Sequence, residues 1–177
     1  FVLDLFEEFC GARLTYNSMR VGGLPLDLPP GWDKKVLAFC DLMDGKLDEY
    51  ETLLTNNRIW LKRTRNVGVI SGEEAIGLGL CGPPLRGSGV SRDLRKDEPN
   101  AAYEEFEFNV PLGTRGDTYD RYLIRMDEFR ESIRIIRQAV EGLPEGPVMG
   151  KVPRLLKPPA GETYHAIESP KGELGYF

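Results

Sequence analysis

The sequence is poor in residues that bind metals. It has three cysteines, Cys10, Cys40 and Cys81, without a CxxC pair, and a single histidine, His165. Iron–sulfur clusters and zinc need clustered thiolates or imidazoles, so we predict that the chain holds no metal of its own. An odd, scattered cysteine count favours a reducing compartment over a disulfide framework. One histidine also gives no support for a Ser/His/Asp triad, and no GxSxG elbow is present.

A basic charge balance and long apolar runs are both missing. The formal net charge is −5, whereas nucleic-acid-binding domains are usually basic, so we predict no nucleic-acid partner. The apolar runs are a few residues long, far short of the roughly 20 residues that a transmembrane helix needs. No signal peptide is recognisable either. We therefore expect any role at a membrane to be peripheral, through partner proteins.

The sequence does contain enough apolar residues for a folded core. Hydrophobic residues make up 41% of the 177 residues, which excludes a disordered chain, and the length fits a single domain. The ends look internal, because Phe1 opens within a helical pattern and the final five residues read as a strand, an element that needs partners to be stable. We expect residues 1–177 to be a single segment of a longer protein, incomplete at both ends.

Apolar periodicity predicts three main helices. Residues 2–10 have helical spacing and end at Gly11, a typical C-terminal cap. Residues 33–54 carry one apolar stripe, and residues 117–141 repeat apolar side chains at i, i+3, i+4 and i+7. The arginines of the last helix are interpreted as a solvated face with weak ion pairs. They are Arg121, Arg125, Arg130, Arg134 and Arg137.

The β structure is predicted to be small. Residues 103–110 alternate charged and apolar side chains as in a half-buried strand, and residues 67–70 read as a brief strand. Residues 165–177 look like a hairpin with a Pro-Lys-Gly turn. A short capped helix is expected over residues 71–78, and a long loop over residues 79–100. The predicted class is α+β, mainly helical, with long helices and a small region of hairpin and strand.

Four motifs, taken in chain order, resemble one protein family. They are GARL and MRVGG within residues 11–23, LRGSGV and DLRK within residues 85–96, GDTYDRY at residues 116–122, and ESPKGELG at residues 168–175. Each motif alone is weak, but the ordered set is specific and spans nearly the whole chain. It is similar to the 49-kDa, or D-type, subunit family of respiratory complex I. The last motif also resembles the EAPRGxLGH stretch of nickel–iron hydrogenase large subunits.

The resemblance implies a core peripheral-arm subunit of a proton-translocating NADH:quinone oxidoreductase, with a fold like that of hydrogenase large subunits. Such a protein binds no cofactor directly. It forms part of the quinone-reduction site beside the terminal [4Fe-4S] cluster of a neighbouring small subunit, while NAD and FMN bind elsewhere in the complex. The implied partners are that small subunit, the C-type subunit, the membrane-arm subunit at the quinone site, and quinone. The implied location is peripheral, on the cytoplasmic side of the bacterial inner membrane.

No catalytic residue can be transferred from the family to this chain. The family's proton-donating His and Tyr lie in a loop before the position of Phe1, and its hydrogenase-like C-terminal segment follows the position of Phe177. The chain alone is therefore expected to be inactive. Two alternatives stay open. One is a subunit of a related membrane-bound hydrogenase, or of a formate-linked or deazaflavin-linked complex; the other is a scaffold subunit without a redox role.

Two residues are candidates for contact with the cluster region. Many family members have a His at the position of Thr15, where it approaches the terminal cluster and couples the cluster's potential to pH. Threonine does not titrate in this range, so this coupling is expected to be absent, and a capping role in an ordinary loop is the alternative. Arg20 could brace the tight Gly22-Gly23 loop or pair with a carboxylate of a neighbouring subunit. The Arg86–Lys96 loop is either a surface for neighbouring subunits or a solvated loop.

Overall fold

The computed structural model describes residues 1–177 and is mainly helical. In chain order, the helices are α1 (Val2–Cys10), α2 (Trp32–Leu54), α3 (Arg58–Thr64), α4 (Gly72–Gly77), α5 (Gly82–Gly87), α6 (Leu94–Asp97), a 3-10 helix (Tyr103–Glu105) and α7 (Thr118–Glu141). The strands are β1 (His165–Ser169) and β2 (Gly172–Tyr176), which form one antiparallel sheet. The α+β, mainly helical class is therefore confirmed.

The chain divides into two compact units that are each built from two segments. The first unit contains Phe1–Met43 and Ile136–Gly161, and the second contains Asp44–Ile135 and Glu162–Phe177. Helices α2 and α7 each contribute residues to both units. Whether residues 1–177 act as one segment of a larger domain stays a prediction.

The core of the first unit forms where α1 meets the start of α2. Leu5, Val36 and Cys40 are buried there. The Trp32 indole N–H donates to the carbonyl of Leu5 at 3.0 Å, which satisfies the polar atom of a large apolar side chain. As predicted, α1 ends at Gly11, which adopts a left-handed conformation with φ of 77° and donates its N–H to Glu7.

The second unit is organised around the start of α7. Asp117 is fully buried and accepts two backbone hydrogen bonds at 2.8 Å, from the N–H of Asp120 and from that of Asn66. Burial raises the pKa of the Asp117 carboxyl, but the backbone N–H donors outweigh it, so the pKa is lowered overall. The carboxylate of Asp120 accepts in turn from the N–H groups of Thr114 and Arg115. These bonds fix the beginning of the longest helix.

The apolar stripe of α7 packs in part as its spacing predicts, with Phe129 as an exposed exception. Met126 and Ile133 are buried. The arginines of α7 differ from one another in exposure and in hydrogen-bond partners, which a uniformly solvated face does not predict. Arg130 pairs with Glu51 at 2.8 Å, and Arg125 is exposed as predicted. Arg121, in contrast, is half-buried and donates to the carbonyls of Gly116 and Gly68, both at 2.8 Å, so carbonyl groups take the place of the predicted ion pair at this position.

Two predicted strands are absent. Residues 67–70 form no strand; they are bonded to the segment before α7, with the N–H of Ile70 donating to Gly116 at 3.0 Å. Residues 103–110 begin with the 3-10 helix and continue without a strand partner. One backbone donor of this segment, the N–H of Asn109, reaches the carboxylate of Glu131 at 2.9 Å instead. The alternation of charged and apolar side chains indicates that one side of the segment is buried. An extended segment without a partner strand shows the same alternation.

The predicted long loop over residues 79–100 is wrong in part, because it contains α5 and α6. Both helices are too short to show an apolar period. Their starts follow known rules: a proline opens the first turn of α5, and the Asp93 carboxylate accepts the N–H of Arg95 at the start of α6. The helix α4 is confirmed, and its Ser71 hydroxyl accepts from the N–H of Glu74 at 3.1 Å.

The predicted hairpin is confirmed. His165 pairs with Tyr176 and Ser169 pairs with Gly172, leaving Pro170 and Lys171 in the turn. A hairpin alone is marginally stable in water, so its attachment to the second unit matters for its order. One attachment is the N–H of Glu173, which donates to the Cys81 sulfur at 3.1 Å.

Candidate functional site

The loop between α1 and α2 carries both residues predicted to lie near a cofactor. Thr15 is exposed, and its hydroxyl donates to the carbonyl of Leu14 at 2.7 Å, so it caps no helix in this structure. Its φ is 54°, in the left-handed region. A β-branched residue rarely adopts this conformation, which costs on the order of 1–3 kcal/mol, whereas His, Asn and Asp are enriched there. The backbone at this position therefore suits a histidine better than the threonine it holds.

Arg20 lies at a tight turn that is stabilised by backbone hydrogen bonds and not by the Arg20 guanidinium. The N–H of Arg20 donates to Gly23 at 2.9 Å, and the N–H of Gly23 donates back at 3.0 Å. Gly23 has no room for a side chain, because a Cβ there would lie 2.1 Å from the carbonyl oxygen of Val148. The Arg20 side chain is exposed and makes no hydrogen bond or ion pair. It lines a small pocket of about 180 Å³ together with Phe9 and Pro25.

Large apolar side chains in the same loop face solvent. Met19 is 79% exposed and Leu14 is 69% exposed. The others are Tyr16, Val21 and Leu26, so five large apolar residues within residues 14–26 are uncovered. Single exposed apolar residues are normal, whereas a cluster of them in one loop is typical of a surface that another segment or chain covers. We call residues 11–31 the α1–α2 loop.

A second group of charged residues is buried in the second unit, and sequence reasoning did not single it out. Arg86 is 1% exposed, forms hydrogen bonds with two carboxylates, and lies 3.6 Å from a third, that of Asp93. Its Nε and Nη2 donate to Glu128 Oε1 at 2.9 and 2.6 Å. Its Nη1 donates to Glu168 Oε1 and to the carbonyl of Arg92, both at 2.9 Å. A buried guanidinium needs such partners, since its desolvation is otherwise unfavourable by several kcal/mol.

The Arg86 cluster, consisting of Arg86, Asp93, Arg95, Glu128 and Glu168, joins four elements: α5, α6, α7 and β1. Glu168 lies on β1 and also accepts the N–H of Leu94 at 3.3 Å, which links the hairpin to α6. Asp93 is 1% exposed and is held by Arg95 through two parallel bonds, of 2.9 and 2.6 Å. The Arg86–Lys96 segment is thus not simply a solvated loop, because Arg86 and Asp93 within it are buried and paired, whereas Lys96 at its end is exposed.

Asp93 should make the stability of the protein depend on pH. Burial raises the pKa of its carboxyl, but the Arg95 hydrogen bond and the charges of Arg95 and Arg86 outweigh burial, and the pKa is lowered. A folded-state pKa below the unfolded value, about 3.9, stabilises the protein above that value. This contribution is lost as the pH falls through the folded-state pKa.

We therefore expect the Asp93→Asn variant to be less stable than the wild type at pH 7, with the difference shrinking below about pH 4. Urea unfolding at pH 7, 5, 4 and 3 measures this. Asp48→Asn is the matched control, because Asp48 is 79% exposed and its contact with Arg130 is 3.5 Å long. A difference between Asp93→Asn and wild type that stays constant down to pH 3 would show that the charge of Asp93 is not what stabilises the fold.

The side chains of the chain form no arrangement typical of a metal centre. No group of three or more His, Cys, Asp or Glu side chains is placed to hold a metal ion. None of the helices combines the length and apolar character that crossing a bilayer demands.

Comparison with known proteins identifies the family. The model of the respiratory-chain NADH dehydrogenase 49-kDa subunit family matches residues 1–158. The D 2 subunit of NADH-quinone oxidoreductase from Solibacter usitatus is 52% identical over 175 residues, which is 99% of this chain and 47% of the relative. The D subunit of the same enzyme from Clostridium beijerinckii is 51% identical over 176 residues, which is 99% of this chain and 48% of the relative. The chain spans about half the length of these curated relatives.

These matches define the class of protein as a subunit of a respiratory-chain NADH dehydrogenase. Within that class, the chain belongs to the 49-kDa, or D-type, subunit family. The resemblance drawn from the four motifs is thereby confirmed. The predicted roles of Thr15 and Arg20 stay predictions, because neither the contacts within the chain nor the names of the relatives test them.

Proposed function

We propose that the protein acts within a proton-translocating NADH:quinone oxidoreductase, where it forms part of the quinone-reduction site beside the terminal [4Fe-4S] cluster of a neighbouring small subunit. The observation that carries the proposal is the α1–α2 loop. It combines the two residues assigned to the cluster region with five uncovered apolar side chains. A loop of this kind needs a partner surface to cover it.

The details of the loop fit a surface that meets another subunit. Arg20 holds an unneutralised guanidinium in the exposed turn, and a carboxylate of the neighbouring subunit would satisfy its planar set of donors. The strain at Thr15 supports the same conclusion, since left-handed conformations of β-branched residues cluster at functional sites. The turn is also pinned, because the N–H of Gly150 donates to Gly22 at 2.8 Å. The loop is therefore prepared for binding before the partner arrives.

The remaining parts of the proposal follow from the family. The small subunit that carries the cluster, the C-type subunit and the membrane-arm subunit at the quinone site are the proposed partners, and quinone is the proposed substrate. NAD and FMN are proposed to bind elsewhere in the complex, and this chain is proposed to bind no cofactor directly. We place the protein at the cytoplasmic side of the bacterial inner membrane, in a peripheral position.

The proposal is tested by installing the titratable group that Thr15 replaces. A nearby imidazolium favours the reduced, more negative cluster, so loss of its proton as pH rises lowers the cluster's potential. With Thr15, we expect a potential that is nearly flat between about pH 5 and 8. The Thr15→His variant should show a slope approaching about 59 mV per pH unit, the limit for one proton and one electron. Redox titration of the assembled complex at several pH values measures both slopes.

Thr15→Asn is the matched control. Asparagine tolerates positive φ as histidine does but cannot titrate, so it separates relief of backbone strain from the effect of charge. We expect a flat potential in this variant. A steep slope with Thr15 in place would show that another group couples the cluster to pH, and a flat slope in Thr15→His would place this residue away from the cluster.

A further inference from the structure

A cleft in the second unit lies directly over the Arg86 cluster. Its volume is about 510 Å³, within the range of roughly 300–1,000 Å³ that is typical of small-ligand sites. One wall is a single face of α7, the second is the hairpin turn, and the third is the segment around Tyr103. The lining residues are Arg125, Glu128, Phe129 and Ser132 on α7, Glu168 and Ser169 on β1, Pro170 and Lys171 in the turn, Arg86 on α5, Arg95 on α6, and Tyr103.

Two cations of the cleft are not neutralised by the protein. Lys171 makes no hydrogen bond or ion pair, and Arg125 makes no ion pair and donates only to the carbonyl of Arg121, at 2.6 Å. The other two cations already have carboxylates: Arg86 is bound by Glu128 and Glu168, and Arg95 by Asp93. Counting all seven groups gives four positive and three negative charges, so the net charge is +1. A bound anion would neutralise this positive charge.

An aromatic surface lies beside these cations without a cover. Phe129 occupies a position of the apolar stripe on α7 that was predicted to pack, yet it is 50% exposed. It follows Arg125 by four residues, so both side chains lie on one face of the helix. Tyr103 provides a second aromatic ring in the lining of the cleft. The cleft thus offers apolar and cationic surface within one helical turn, which suits a ligand with an apolar body and a negative end.

The walls are held in place before any ligand binds. Glu168 and the Cys81 sulfur secure the hairpin turn, and Glu128 is fixed on α7 by two bonds from Arg86. Arg86 uses four of its five N–H donors in these contacts and in the bond to Arg92, which leaves one on Nη2. Preorganisation of this kind lowers the entropy lost on binding.

We propose that this cleft binds a carboxylate that carries an apolar group, with Arg125 and Lys171 holding the carboxylate and Phe129 packing against the apolar part. The carboxylate can come from a free small molecule or from an acidic side chain beside an apolar residue in a polypeptide. Both sources share this chemistry. One carboxylate oxygen of the cleft, Oε2 of Glu128, accepts no hydrogen bond. Its negative charge repels the carboxylate of a ligand, which favours binding of that carboxylate at Arg125 and Lys171.

Binding of benzoate to the purified protein tests the proposal, with benzamide as its uncharged counterpart of the same shape. We expect benzoate to bind and to shift the amide resonances of residues 125–132, Ser169 and Lys171, and benzamide to bind at least about tenfold more weakly. The peptide acetyl-Phe-Glu-amide and its Phe-Gln counterpart form the second arm. Tighter binding of the acidic peptide than of benzoate assigns the site to a polypeptide, and the reverse order assigns it to a small molecule.

The double variant Arg125→Gln/Lys171→Gln should lose about tenfold or more in benzoate affinity, because it removes both unpaired cations from exposed positions without disturbing the core. Arg134→Gln is the control, since Arg134 lies on the same helix outside the cleft and should leave the affinity unchanged. Phe129→Ala provides a separate measure of the apolar contact. Equal binding of charged and uncharged probes, or unchanged affinity in the double variant, would overturn the proposal.

Discussion

Replacing Arg86 with Met should destabilise the protein by about 3–5 kcal/mol, the range found when one partner of a buried ion pair is removed. The substitution keeps an unbranched side chain of similar length but leaves Glu128 and Glu168 without their shared cation. Glu168 is 6% exposed and Glu128 is 16% exposed, so water replaces the guanidinium poorly. The free energy of unfolding in urea measures the loss.

Two companion variants separate charge from geometry. Arg86→Lys keeps a positive charge but supplies a point donor in place of a planar set, so we expect a smaller but clear loss. Arg134→Met is the control at an exposed site, because Arg134 is 45% exposed and its contacts with Glu107 and Glu131 are 3.5 and 3.7 Å long. Exposed pairs contribute about 0–1 kcal/mol. An Arg86→Met variant as stable as Arg134→Met would show that the cluster is not needed to hold the hairpin.

A second large effect is expected at Gly172, where β2 begins. Its φ is 129°, and a Cβ added there would lie 2.5 Å from the Cys81 sulfur. The partner position is equally tight, because a Cβ on Gly82 would lie 2.3 Å from the Cα of Gly172. We expect Gly172→Ala to cost about 2–5 kcal/mol, the sum of backbone strain and overpacking. Urea unfolding and the dispersion of the hairpin amide resonances measure this.

Gly45→Ala is the matched control, and we expect it to change the free energy of unfolding in the opposite direction. Gly45 lies inside α2, and a Cβ there would meet nothing within 4 Å. Alanine is favoured over glycine in a helix interior by about 0.5–1 kcal/mol, so this variant should be more stable than the wild type. If Gly172→Ala is also neutral or stabilising, the hairpin does not contact the start of α5 as closely as the structure shows.

The parts of the fold that could be predicted from the sequence are those encoded by patterns of neighbouring residues, such as apolar periodicity and turn residues. The long helices α2 and α7 show their apolar stripes over more than twenty residues, and the hairpin has its turn residues in place. The missing strand at residues 103–110 is instructive, since alternation of side chains predicts burial but not a partner strand. Short helices such as α6 end before a period can be seen.

The candidate site divides in the same way. Thr15 and Arg20 could be named because a family motif surrounds each of them, although nothing in the sequence shows that Thr15 adopts positive φ. The Arg86 cluster could not be assembled from sequence alone. Arg86 and Glu168 are 82 residues apart in the sequence. The sequence alone also does not distinguish a buried arginine from an exposed one. Two of the four motifs, LRGSGV and ESPKGELG, contain these partners, so the motif order was the available signal.

The interleaved arrangement of the two units has a consequence for how the protein is made. A ribosome releases the chain in order, and the first unit lacks its second segment until residues 136–161 emerge, while the second unit lacks its last segment until residues 162–177 follow. At about 5–20 residues per second, the ninety or so residues between the two segments of the first unit take roughly 5–20 s to synthesise. Throughout that interval the apolar faces of α1 and early α2 lack the segment that completes their unit. Nascent chains should therefore be most dependent on chaperones while residues 44–135 are being translated.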